Sequence, residues 1–182
     1  MRDVLTKALV LTILRHAEDF PWRMQEIGLL ALRLDAHREH RLHVWDPAYG
    51  NGDPPVHDHP YDFTSTIVAG ELTDTLYVED PVGDRYTRFR YVPGAEERRR
   101  ADTVTLSGVA TTFVEGDEYR HAADELHTSS QRPGTVTAIR CRWVAPTALT
   151  VCTRDGSWPS SRARDATRAE IKDIVANALE WF

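Results

Sequence analysis

A chain of 182 residues, 41% hydrophobic and 27% charged, is long enough to hide roughly 70% of its unfolded surface, so a real hydrophobic core is expected. Its 22 Lys and Arg stand against 28 Asp and Glu, a formal net charge of -6, which argues against general nucleic-acid binding because phosphate is neutralised by an excess of cations. No run approaches the ~20 apolar residues that span a bilayer, and Cys141 and Cys152 stand in no CxxC or Cys/His spacing, so neither a disulfide framework nor a zinc finger is indicated.

Residues 1–22 are expected to carry an N-terminal helix. Leu5, Leu9, Ile13 and Leu14 recur at helical spacing, and Pro21 ends or follows the helix. Basic Arg2 and Lys7 and the short apolar run from Ala8 to Leu14 lead straight into Arg15, His16, Glu18 and Asp19. No small-residue cleavage site is present, so no signal peptide is expected and the protein reads as cytoplasmic and reduced.

Residues 25–153 then change to short β-type runs broken by turn residues. Strands are expected at Ile27–Leu34 and Arg41–Trp45, followed by a long turn from Pro47 to Pro55. Others are expected at Tyr61–Ala69, Leu72–Tyr77, Arg85–Val92, Thr103–Leu106, Thr111–Glu115, Glu118–Ala122, Val136–Trp143 and Ala148–Thr153. Arg98, Arg99 and Arg100, preceded by Glu96 and Glu97, read as a solvated loop. Many short strands with frequent turns favour a sandwich or barrel over a parallel α/β sheet.

Thr153–Arg164 reads as a linker to a C-terminal helix over 165–182. Thr167-Arg168-Ala169-Glu170 has the form of a capping box, and Ile171, Ile174, Val175, Ala178, Leu179 and Phe182 make the apolar stripe behind it. Both helices are expected on the exterior of the barrel, with a homodimer contact as the other use of their apolar faces.

The sharpest chemical motif is Val56-His57-Asp58-His59-Pro60-Tyr61-Asp62-Phe63. Residues two apart on a strand share a face, with Cα atoms roughly 6.5–7 Å apart, so His57 and His59 can converge on one ion. Neutral imidazole suits Fe, Zn, Cu and Ni, whereas Mg and Ca prefer oxygen. In a chain with eight histidines the pair is also compatible with a polar stretch beside a loop. Further on, Gly116-Asp117-Glu118-Tyr119-Arg120-His121 reads as a turn and a strand, and a second turn, Ala123 to Leu126, delivers His127.

Over roughly residues 40 to 145 this pattern resembles the cupin superfamily. The family's first motif is His-x-His, a glutamate four residues on and a glycine beyond; its second is a glycine-led turn delivering a third histidine. His57, His59 and Gly70 match the first, and Gly116 through His127 loosely matches the second. The resemblance implies one cupin-type domain over 1–182: a mainly β, small double-stranded β-helix barrel flanked by N- and C-terminal α-helices. It also implies one divalent transition metal held by His57, His59 and a third histidine, a choice between His121 and His127 in which His127, delivered by the turn, is favoured. Phe63 occupies the glutamate position and cannot ligate; Asp62 beside it points to the opposite face of a regular strand, where it reaches the ion only through a bulge, orients a ligand histidine, or simply faces solvent. A three-histidine site looks like the cysteine and thiol dioxygenase branch of the family. That implies ferrous iron, with zinc, nickel or manganese as alternatives, and a small polar substrate together with dioxygen.

The remaining candidates are less sharply marked. His121 either faces the cavity as an acid/base group or lies at the surface, and Tyr119 either donates a phenolic hydrogen bond into the site or packs. Tyr61 and Phe63 share the side of His57 and His59 and should form cavity wall in contact with substrate. Arg140 and Arg142 alternate with Ile139, Cys141 and Trp143; if the arginine face lines the barrel, Arg140 clamps a substrate carboxylate, and otherwise both arginines are solvated. His16, His37, His40 and His43 show no partner pattern, and the last three read as a polar turn and the strand after it. Besides an oxygenase, the residues are compatible with a lyase, isomerase or hydrolase using a redox-inert Lewis acid, and with a non-catalytic module that holds a small ligand.

Overall fold

The computed structural model of the protein describes residues 5–37, 39–50, 54–92, 99–144, 148–157 and 163–182. The start of the chain, the charged run at 96–98, and parts of the expected 47–55 turn and 153–164 linker lie outside the described residues.

The architecture is mainly β and barrel-like, flanked by two helices, as expected. Helix α1 (Lys7–Arg15) is capped by Thr6, whose hydroxyl accepts from the Leu9 N–H, and a short 3-10 turn follows at Ala17–Asp19. The strands in chain order are β1 (Arg23–Gln25), β2 (Ile27–Arg33), β3 (His40–Gly50), β4 (Val56–His57), β5 (Tyr61–Ala69), β6 (Glu71–Tyr91), β7 (Arg99–Val114), β8 (Glu118–His121), β9 (Leu126–Gln131), β10 (Thr135–Trp143), β11 (Leu149–Thr153) and β12 (Arg164–Asp165). Helix α2 (Arg168–Leu179) starts at the capping box read from the sequence: Thr167 accepts from the Glu170 N–H while the Glu170 carboxylate accepts from the Thr167 N–H. No helix among the described residues is long and apolar enough to cross a membrane.

The strands form two antiparallel sheets, ordered β12-β1-β2-β3-β10-β5-β8 and β11-β4-β9-β6-β7. Long strand β6 joins the second sheet twice. Residues Leu72–Tyr77 pair with β9 and Thr87–Tyr91 pair with β11, so the sheet curls into a ring. The separate strands expected at 72–77 and 85–92, and at 103–106 and 111–115, are one long hairpin of β6 and β7 with a register shift at Glu79/Asp84.

The first sheet is covered on both faces. One face presents Leu30, Leu32, Leu42, Val44, Val68 and Val136 to Val10, Ile13 and Leu14 of α1 and Ile171, Ile174 and Val175 of α2. Leu9, expected in the α1 stripe, is 49% exposed, and Val10 takes the buried position instead. The other face looks into the barrel and is mixed in chemistry. Register places Arg41, Ile139, Ser65 and Tyr119 in one row across it, and Cys141, Phe63 and His121 in the next.

Candidate metal centre

Three imidazoles from two motifs far apart in the chain meet in the barrel. β4 brings His57 directly opposite His127 of β9, and the turn after β4 carries His59 back over them. One ligand atom from each of the three lies within 4.8 Å of the others. His59 Nε2 and His127 Nε2 are 3.0 Å apart, about the spacing of two nitrogens bound at right angles to one ion at ~2.1 Å.

Hydrogen bonds decide which nitrogens are free to ligate. His57 Nδ1 is 2.9 Å from the Pro55 carbonyl, which only accepts, so Nδ1 carries the proton and Nε2 keeps its lone pair. His127 Nδ1 likewise donates to Asp74 Oδ1 at 2.8 Å, leaving its Nε2 lone pair aimed at His59. Burial, reinforced by the neighbouring imidazole of His127, lowers the His57 pKa to about 4. Burial and the facing His57 ring take His59 well below the ordinary histidine range. Both are therefore neutral near pH 7, the protonation state a metal requires.

A second layer of carboxylates supports this cluster. Asp74 of β6 is 5% exposed and takes one N–H on each oxygen: His127 on Oδ1, and His121 Nε2 on Oδ2 at 2.8 Å. Burial pushes the Asp74 carboxyl up, but the hydrogen bonds from His121 and His127 outweigh it and hold the group below its usual range. His121 Nδ1 reaches Glu125 Oε2 at 3.1 Å. Both nitrogens of His121 thus face carboxylate acceptors; burial opposes the charged ring, but Asp74 and Glu125 together raise its pKa. Asp74, His121 and His127 are close enough to form a second ligand set. With both His121 nitrogens donating, however, that ring has no lone pair for an ion, and the group is a buried charge pair instead.

The structure brings Tyr61 and Phe63 to the histidines. His59 stacks on Tyr61 (ring centroids 4.9 Å) and meets Phe63 edge-on at 5.2 Å. His121 is 6% exposed, which overturns its reading as a surface residue, and its ring centroid lies 4.3 Å from that of His127. Tyr119 stacks on Phe113 at 4.8 Å and lies edge-on to Phe63, with its phenol pushed up by burial.

Asp62 stays out of the site. It accepts from the Ala123 N–H and ion-pairs with Arg142 on the outer face of β5, so it neither ligates nor orients a ligand histidine. Arg140 is exposed, alternating with inward Ile139 and Cys141; it lines an outer cleft of about 820 Å³ that also touches Phe63 and His121. It stands outside the barrel interior.

The arginine nearest the site is Arg41 of β3, which the sequence reading passed over. Its Nη1 donates to the Tyr61 hydroxyl at 2.9 Å, and its guanidinium lies over the Tyr61 ring (4.7 Å) and the Trp143 ring (5.8 Å).

No family model and no curated protein matches the chain. Among solved structures it is similar to a cupin-like protein from Thermotoga maritima, at 11% identity over 86% of this chain and 88% of that one, with a TM-score of 0.30. A likeness at this level says nothing of activity.

Proposed function

We propose that His57, His59 and His127 hold one divalent transition metal, iron(II) by preference, and that the protein is an oxygenase of cupin type acting on a small polar metabolite. The observation that carries this reading is the donor set: three imidazoles, two with Nδ1 protons committed to Pro55 and Asp74, and no carboxylate among them. A bound ion with three protein ligands keeps open positions for substrate and dioxygen and supplies Lewis-acid and redox chemistry there.

The chain's own residues do the rest. Asp74 fixes the His127 ring and raises its basicity. Tyr61 and Phe63 wall the site and keep bulk water from the reacting atoms, with Tyr61 held by Arg41. His121, hydrogen-bonded between buried Asp74 and half-exposed Glu125, is placed to hold a proton beside the centre.

Elemental analysis of the purified full chain should find one equivalent of metal, and alanine at His57, His59 or His127 should remove it. Oxygen uptake by iron-loaded protein with small thiols or amino acids tests the reaction class. Full metal content in all three variants would refute the ligand assignment. Turnover that persists anaerobically with zinc would move the protein to the lyase, isomerase or hydrolase reading.

A further inference from the structure

One long strand of the second sheet is paired on a single side. β7, 16 residues long, ends the order β11-β4-β9-β6-β7, and among the described residues no strand pairs with its outer edge. Both helices, by contrast, have their apolar faces packed on the first sheet.

The end of the β6–β7 hairpin shows which backbone groups face outward. Glu71 and Val114 stand opposite each other, but their groups are committed elsewhere. The Glu71 N–H donates to Thr135 Oγ1 and its carbonyl accepts from the Arg132 N–H, on the side away from β7. The Val114 N–H donates to Asp117 Oδ2 and its carbonyl accepts from the Asp117 N–H, on the side away from β6. Antiparallel ladders alternate, so Thr112, Ala110 and Gly108 also turn their N–H and C=O groups away from β6. All three residues are exposed.

A free edge of this kind is a template for another strand, and natural edges are blunted by lysine, proline or a bulge. Residues 103–114 include no charged residue and no proline. The register shift at Glu79/Asp84 puts its extra residues on β6, so β7 stays regular over this span. Apolar side chains stand exposed beside the open groups. Val109 is 71% exposed, and Leu76, directly opposite it on β6, shares its face and is 37% exposed.

We infer that this edge pairs with the same edge of a second copy of the chain, antiparallel about a two-fold axis at Val109, so that one sheet runs through both copies. In that register Val109 lies against Val109 of the second copy, with a Leu76 behind each, and Gly108 exchanges backbone hydrogen bonds with Ala110 of the second copy. Charge favours a copy of this chain as the occupant. The uncharged edge lets two chains of net charge -6 approach. Antiparallel self-pairing also brings the start of each strand, arginine at positions 99 and 100, toward the turn that ends the other, where Glu115, Asp117 and Glu118 outnumber the Lys7 and Arg120 paired with them. At ~3.4 Å per residue the span is about 40 Å long, and with a sheet edge about 10 Å deep it covers roughly 400 Å² per copy. That is the size of a weak, reversible association. Nothing in it depends on the histidine cluster.

Sedimentation velocity on the full chain tests the pairing. A dimer that dissociates on dilution through micromolar concentrations is expected. Val109→Lys sets two like charges against each other on the axis and should raise the dissociation constant roughly tenfold or more. Ala110→Pro removes an outward N–H, leaves the bonds to β6 in place, and should act in the same direction. Leu9→Lys, on the exposed side of α1, should leave the dimer unchanged. Register is read by cross-linking, which also keeps the inference testable if Ala110→Pro fails to fold. Directly opposed residues of a non-hydrogen-bonded pair have Cα atoms ~4.5 Å apart, so Val109→Cys should form an intermolecular disulfide on mild oxidation and Thr111→Cys should not. The native Cys141 and Cys152 are buried and do not compete. A monomer at every concentration, a dimer lost in Leu9→Lys but kept in Val109→Lys, or cross-linking through Thr111→Cys in place of Val109→Cys overturns the inference.

Discussion

At the scale of the residue, Asp74 decides how well the histidine cluster is organised. Its two oxygens fix the protons of two different rings, so His127 presents Nε2 and not Nδ1 to the cluster. Asp74→Asn keeps the shape but offers only one acceptor oxygen, and its amide N–H would face an imidazole N–H unless one ring changes tautomer. Metal affinity, read by competition with a chelator, should fall ~10–100-fold, as for other carboxylates behind ligand histidines. Asp62→Asn should leave it unchanged, since Asp62 serves only Arg142 and the Ala123 N–H. A sequence signal for Asp74 does exist: Leu72, Asp74 and Leu76 share one face of a strand, and a carboxylate in an apolar alternation is seldom buried without a partner. Arg41 gave no comparable signal. In Arg41-Leu42-His43-Val44-Trp45 the apolar pair Leu42 and Val44 faces the helices, so the polar positions are the ones that look into the barrel.

At the scale of the element, the turns were legible and the pairings were not. β5 occupies Tyr61–Ala69, the span read from its alternation, because a strand that alternates buried and half-buried positions and is closed by Gly70 has unambiguous ends. The strand read through His57 and His59 stops at His57, with His59 in the turn after it, and β9 escaped notice because its polar run, Leu126–Gln131, carries no hydrophobic period; β4 and β9 exist because β11 and β6 pair with them. The two motif glycines also differ in kind. Gly70 has φ +85° and a Cβ there would come within 2.8 Å of the Thr135 backbone, whereas Gly116 has φ +91° with open space around it. Gly116→Ala should therefore cost about 1 kcal/mol, the strain of a left-handed residue alone. Gly70→Ala should cost several times more, because the turn carrying β5 into β6 must also shift. Denaturant melts of the two variants measure the difference. Equal losses would show that the Gly70–Thr135 contact relaxes freely.

At the scale of the molecule, a barrel that holds neutral imidazoles in its interior must be sensitive to acid. Burial lowers His57 to about 4 and His43, whose neighbour Arg41 adds to the effect, to about 3; His59 is also driven well down. In the unfolded chain all three titrate near the ordinary value of ~6.5. Between about pH 6.5 and 4 the unfolded state therefore binds protons that the folded state does not, and stability falls as pH falls. Each fully differing group contributes a slope of about 1.4 kcal/mol per pH unit. His121 works in the other direction. Its raised folded pKa gives stability that is present below its unfolded value and lost as pH rises through the folded one, so it trims the alkaline side of the optimum. Asp74 acts lower still, its stabilisation being lost as pH falls through the depressed carboxyl range. The metal-free protein should thus melt progressively lower from pH 7 to pH 5. His43→Phe, with one proton-binding group fewer in the unfolded state, should flatten that dependence. Saturating metal should raise the melting temperature by a similar increment at pH 7 and pH 5, because His57 and His59 stay neutral in the native state over that range and protons do not compete with the ion for their nitrogens. A melting temperature independent of pH between 7 and 5 would mean that these imidazoles take up protons inside the fold, and with them the basis for a neutral donor set at His57 and His59 would go.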